Sequence, residues 1–218
     1  DTASRQGFHD ELYARMHAGN VDVLLGTQML AKGLDFPNLT LVGVINADSS
    51  LNFPDFRAAE RTFQLLVQVS GRAGRAEEPG RVLIQTRQPG HDCLRAAAAQ
   101  DFEAFFEAGL AERRDFGYPP FGRLAALLFR GRDKVRTEAK AEEAAEALGR
   151  AVRASGAPVQ ILGPAASPLV LVKGWWRYRI LLKSKGSQVL RELLGSWCRG
   201  YRDHDVHMAV DIDPLNFL

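Results

Sequence analysis

Between Leu39 and Ile45 the chain reads LTLVGVI, seven residues without a charge and rich in β-branched side chains. A run of this kind is a strand buried on both faces, which occurs where helices cover a parallel sheet. Val21–Gly26, VDVLLG, is a short buried strand upstream, and Arg81–Thr86, RVLIQT, is a further strand downstream. The intervening stretches carry helical spacing. Phe8, Leu12 and Met16 recur every fourth residue and Gly19 follows as a stop. Phe56, Phe63, Leu66 and Val67 fall on one stripe of a second helix. Strands alternating with helices predict a parallel sheet with ligands at the carboxyl ends of its strands.

The second half reads differently. The segment from His91 to Gly122 is mostly helical and carries Pro119-Pro120, and the domain boundary is placed in it, giving domains of residues 1–112 and 113–218. Beyond it, Arg123–Gly131 is a strand. A helix follows, with Asp133 as N-cap, Gly156 as stop, and Ala145, Leu148 and Val152 on its inner stripe. VQILGP and LVLVKGWWRYRILLKS make further strands, the latter with a hairpin turn at Lys173-Gly174. SQVLRELLGSWCRGY is a helix and VHMAVDIDP a last strand. The order β-α-β-β-α-β is a split βαβ sandwich. The expected fold class is therefore α/β, a parallel-sheet domain followed by a smaller α+β split-βαβ sandwich.

Composition narrows the function. The 218 residues, room for one large or two ordinary domains, hold 46% hydrophobic and 25% charged side chains, enough apolar material for a sizeable core. A formal charge of +2 is too small for general nucleic-acid affinity, so such binding needs a local patch. Cys93 and Cys198 cannot form a disulfide framework or a thiolate metal site, and a reducing cytoplasm fits them. The polar start at Asp1 has no apolar signal core and reads as a piece of something longer. No apolar run approaches a membrane span.

Gln68–Ala76, QVSGRAGRA, sets two arginines in a Gly/Ala-rich run. Arg72 and Arg75 bring planar, permanent donor forks suited to polyphosphate, on backbone that lets a ligand approach closely. Gln68, one helical turn before Arg72, is the kind of group that orients an attacking water. Spacing alone favours an exposed basic turn. Leu24–Pro37, LLGTQMLAKGLDFP, puts Thr27, Gln28 and Lys32 just past a strand, with Gly33 permitting close approach; such groups hold a phosphate backbone or cap a loop. In KGWWRYRILLKSK, alternation puts Trp175, Arg177, Arg179, Leu181 and Lys183 on one face and Trp176, Tyr178, Ile180 and Leu182 on the other. The first face suits DNA with a stacked base, an acidic peptide with an aromatic residue, or a charged edge strand guarded against aggregation. His204 and His207 lack a third metal ligand, so no metal site is assigned. Asp211 and Asp213 suit a turn or a salt bridge.

These residues resemble a family. GTQMLAKGLDFP is similar to motif V of superfamily 2 helicases, and QVSGRAGRA to motif VI. DSSLNFPDFRAAERTFQLL between them, with PGRVLIQT, AERRDFGYPPF, LGPAASPL and DIDP, resembles the PriA family of primosomal replication-restart helicases over nearly the whole chain. The resemblance implies that residues 1–112 are most of a second RecA-like motor lobe. It makes Arg75 an arginine finger, with Arg72 assisting at the γ-phosphate and Gln68 placing the water. It gives Thr27, Gln28, Lys32 and Gly33 contacts to single-stranded DNA, and implies a C-terminal domain that binds branched DNA, single-stranded-DNA-binding protein and other primosome proteins. The expected protein is a cytoplasmic monomer.

The chain departs from the family in three respects: it has no phosphate loop, no Asp-Glu-x-His motif and no cysteine-rich zinc insertion. ATP and Mg²⁺ are then expected to be held mainly by a first lobe, and zinc outside this chain, which alone is expected to lack ATPase. Another superfamily 2 translocase, acting in fork reversal or repair, and a non-catalytic DNA-binding adaptor are the alternatives.

Overall fold

The computed structural model describes residues 7–27, 39–71 and 80–217. They divide into two compact units: Asp1–Phe53 with Arg57–Phe106, and Pro54–Phe56 with Glu107–Leu218.

The first unit contains α1 (Phe8–His17), β1 (Leu41–Val44), α2 (Asp48–Leu51), α3 (Ala58–Ser70), β2 (Arg81–Ile84), α4 (Asp92–Ala99) and the start of α5 (Phe102–Asp115). β1 and β2 pair in parallel, Leu41 opposite Arg81 through Val44 opposite Ile84. Ala47, Leu51, Phe63, Leu66, Cys93, Leu94, Ala96 and Ala97 form the core, with Val44 and Ile84 packed against it. Phe63 stacks on Phe105 at 4.0 Å and meets the edge of Phe102. α4 is capped by the His91 ring nitrogen, which accepts from Cys93 N–H.

Three expectations for this unit are corrected. Val21–Gly26 is not a strand: it has no ladder partner among the described residues, and Val23 and Leu25 are exposed. β1 and β2 are shorter than their apolar runs, and they alternate exposed and half-buried positions because one face packs on the core while Leu41 and Leu83 stay exposed. Phe56 leaves the α3 stripe; the helix begins at Ala58 and Phe56 belongs to the second unit. The His91–Gly122 segment is mostly helical as read, in two helices separated where Gln100 takes a left-handed conformation at φ 55°.

The second unit contains β3 (Arg123–Gly131), α6 (Lys134–Ser155), β4 (Val159–Val172), β5 (Trp175–Ser184), α7 (Ser187–Trp197), a short 3₁₀ turn, and β6 (Val206–Ile212). The strands form one antiparallel sheet in the order β4-β5-β3-β6, the split βαβ arrangement read from the sequence. One sheet face and the two helices enclose Leu127, Phe129, Leu148, Tyr178, Ile180, Leu182, Leu190, Leu194 and Val206. Of the expected α6 stripe, Leu148 is fully buried and Ala145 and Val152 pack at the margin, while Thr137, Ala141 and Ala144 complete the buried side.

Local chemistry sets the turns. The Asp133 carboxylate accepts from Arg136 N–H at 2.7 Å, and Gly156 ends α6 in a left-handed conformation. Lys173 (φ 49°) and Gly174 (φ 78°) form the two-residue β4–β5 turn, the positive-φ pair that matches hairpin twist. β4 is one long irregular strand, not two. Its pairing with β5 shifts between Leu162 and Ala165, where Gly163 sits at φ 96° and an added Cβ meets Arg179 O at 2.9 Å.

Candidate nucleic-acid interface

Among the described residues, two places gather chemistry. In the first unit, a cavity of about 700 Å³ lies at the carboxyl ends of β1 and β2, lined by Asn46, Asp48, Asn52, Gln85, Thr86, Arg87 and Gln88. Asp48 organises it. Its carboxylate accepts from Thr86 Oγ1 at 2.7 Å and Arg87 N–H at 2.8 Å. The Thr86 hydroxyl first, and the Arg87 amide second, hold Asp48 below its ordinary value. Asn46, at φ 54°, donates its N–H to Gln85 Oε1, and Gln88 donates to Asn52 Oδ1. The lining is polar, and both carboxylate oxygens already hold protein hydrogens.

Of the sequence-derived site residues in this unit, Gln68 is half-buried near the end of α3, two residues past the fully buried Leu66. Thr27 is exposed. Gln28, Lys32, Gly33, Arg72 and Arg75 lie outside the described residues.

In the second unit the expected face exists, and it is divided. Tyr178, Ile180 and Leu182 point into the core, as alternation requires. Opposite them, Trp175, Arg177, Arg179 and Lys183 are all half-buried. At the hairpin end, register sets Arg177 beside Arg130, and Arg130 beside His207, a row of basic side chains across three strands. The Trp175 ring lies in this row, 4.3 Å from the Arg132 guanidinium and 5.8 Å from that of Arg130, with His207 at 5.5 Å. Lys134 stands over Trp176.

At the other end the cations hold backbone. Arg179 donates to Phe217 O at 2.9 Å and Pro54 O at 3.3 Å, and lies 4.9 Å over the Phe217 ring. Burial lowers its pKa, opposed by the charge of Asp55. Lys183 donates to Phe116 O and stands over Tyr118. Leu181, between them, is buried with Leu124 and Phe217. β5 pairs on both sides, with β4 and β3, so the guarded-edge reading fails: the edges are β4 and β6.

Family models match the chain in two consecutive parts. Residues 3–77 match the helicase conserved C-terminal domain and residues 114–215 the primosomal protein N C-terminal domain. Similar proteins named replication restart protein PriA include one from Bacillus subtilis, 45% identical over 98% of this chain and 27% of its own length. One from Treponema pallidum is 44% identical over 99% of this chain and 33% of its own length, and one from Synechocystis 39% identical over 99% and 26%. The chain belongs to the PriA family. It spans about a quarter to a third of the length of these relatives.

For a PriA-family chain the first unit is a RecA-like helicase lobe, and the mixed α/β class with a small parallel sheet and a separate antiparallel sheet agrees with the sequence reading. The sequence reading missed the partners of the β5 row, Arg130, Arg132, Lys134 and His207. Their signal, basic residues from the end of β3 into the start of α6 and at the start of β6, gains meaning only once the strands are aligned. It also missed Asn46, Asp48 and Gln85, although NADSS directly after an apolar run was a usable sign of a strand-end site. Among the described residues no three His, Cys, Asp or Glu side chains gather as a metal site, and no helix is long and apolar enough to cross a membrane.

Proposed function

We propose that this chain is the C-terminal part of an ATP-dependent 3′→5′ DNA helicase that recognises stalled or branched replication forks and restarts replication in the cytoplasm. The observation that carries the reading is the succession, in one chain, of a helicase C-terminal domain and a primosomal C-terminal domain. In this reading residues 1–112 are the second motor lobe. Arg75 reaches the γ-phosphate of ATP as an arginine finger, Arg72 assists and Gln68 orients the water. ATP and Mg²⁺ are held mainly by a first lobe and zinc elsewhere in the whole protein, a monomer. Thr27, Gln28, Lys32 and Gly33 follow the single strand.

Residues 113–218 bind the branched DNA, together with single-stranded-DNA-binding protein and other primosome proteins. The Arg177–Arg130–His207 row with Trp175 supports this, because cations beside an aromatic ring fit a phosphate backbone with a stacked base. The test is fork binding by the intact protein as a function of salt. Each phosphate that a side chain neutralises steepens the plot of log affinity against log salt by about 0.9. Replacing Arg177 and Arg130 together by Ala is expected to make the plot shallower by nearly twice that amount. An unchanged slope removes this face from the DNA interface.

A further inference from the structure

Pro54–Phe56 is set apart from its neighbours in sequence: Phe53 and Arg57 belong to the first unit and these three residues to the second. What holds them is specific. The buried Asp55 carboxylate accepts from Phe217 N–H at 3.0 Å, and Arg179 ties Phe217 O to Pro54 O. The Phe56 ring lies 5.2 Å from that of Phe217 and 5.5 Å from that of Tyr118, with the Arg113 guanidinium 5.4 Å away on its face. Phe217 is therefore gripped at its N–H, its carbonyl and its ring, and Arg179 is common to the carbonyl and ring contacts. Two residues beyond Phe56 begins α3, the helix that carries Gln68.

We propose that Arg179 is a switch between this clasp and DNA. Its guanidinium donates to two neutral carbonyls in this structure. A phosphate adds a full negative charge and two oxygens that match the guanidinium fork, so it accepts the same donors more strongly than a neutral carbonyl does. DNA bound along β5 draws Arg179 off Phe217 and Pro54, and the segment leading into α3 is released. This supplies the differential interaction a ligand needs to shift an equilibrium. It links occupancy of the second unit's sheet to the start of the helix bearing the water-orienting glutamine. The inference rests on reading β5 as a DNA-binding strand, and its test separates the two.

The experiment is amide hydrogen exchange on the intact protein, followed in peptides spanning residues 54–66, with and without a forked oligonucleotide whose binding is monitored by fluorescence anisotropy in the same samples. Forked DNA is expected to speed exchange there about fivefold or more, the lower end of ordinary coupling energies. Phe217→Ala is expected to give the fast rate without DNA and to abolish the DNA effect. Asp55→Asn, which keeps the shape and removes the charge facing Arg179, gives the same result in milder form should Phe217→Ala fail to fold. Bound DNA with unchanged exchange overturns the switch. If DNA does not bind at all, the reading of β5 fails, and the clasp is still judged by the variants: exchange at 54–66 equal to that of the unmodified protein overturns it.

Discussion

Cys93 shows what a single residue's surroundings do. Its thiol is 1% exposed, donates to Ala59 O at 3.3 Å, and is pushed up to about 11, chiefly by burial. Cys198 is raised too, by burial, and stays half-exposed. At pH 8, iodoacetamide is expected to modify Cys198 slowly and Cys93 only after denaturation, as peptide mass spectrometry will read. Asp203 presents the opposite case. Its carboxylate accepts from Asp205 N–H at 2.9 Å and Val206 N–H at 2.8 Å, with Arg136 and Lys140 at 3.5 and 3.7 Å. The Val206 amide above all holds it below its ordinary value. A depressed folded-state value stabilises the protein above the unfolded-state value and loses that stabilisation as pH falls through the folded one. Asp203→Asn is therefore expected to destabilise the protein by about 1 kcal/mol at neutral pH, with the difference from the unmodified protein shrinking below about pH 4. Thermal melts across that range check the sign.

At the scale of elements, α6 and the β4–β5 hairpin carry the second unit. Leu148 stands fully buried against the sheet, and Leu148→Ala is expected to cost about 2–5 kcal/mol, measured by urea unfolding. Gly174, at φ 78° with an added Cβ 2.8 Å from the Arg132 guanidinium, admits no side chain without strain. Gly174→Ala is expected to cost about 1–2 kcal/mol and to loosen the Trp175–Arg132 contact, seen as a shift in tryptophan emission. These elements were legible because their signals are local. Asp133 caps a helix whose first turn follows directly, and Lys173-Gly174 occupies the two positions where a tight hairpin needs positive φ. Val21–Gly26 has the composition of a strand, but composition supplies no partner, and exposed backbone without a ladder is not a strand.

For the whole molecule, each unit has its own buried cluster, around Phe63 and Leu66 in one and Phe129 and Leu148 in the other. The motor reading is tested in the intact protein. Arg75→Ala is expected to lower DNA-stimulated ATP hydrolysis by about 10³-fold or more while DNA affinity stays within about twofold. A coupled ATPase assay beside a DNA titration decides it, and an ATPase that survives takes Arg75 out of the catalytic role.

The sequence alone determined the class of each half, the caps, the hairpin, the inward face of β5 and the resemblance carried by its motifs, because each of these depends on residues within a few positions of one another. Tertiary structure decided the rest. Phe56 abandons a helix stripe for Phe217 and Tyr118, Asp55 reaches an amide 162 residues away, and Arg179 spans 125 residues to Pro54 O. Arg130, Arg177 and His207 become one row only when three strands align. No periodicity encodes which distant segment will bury a ring or meet a guanidinium. That follows from chain closure, where the burial of apolar surface and the satisfaction of buried polar groups are settled together.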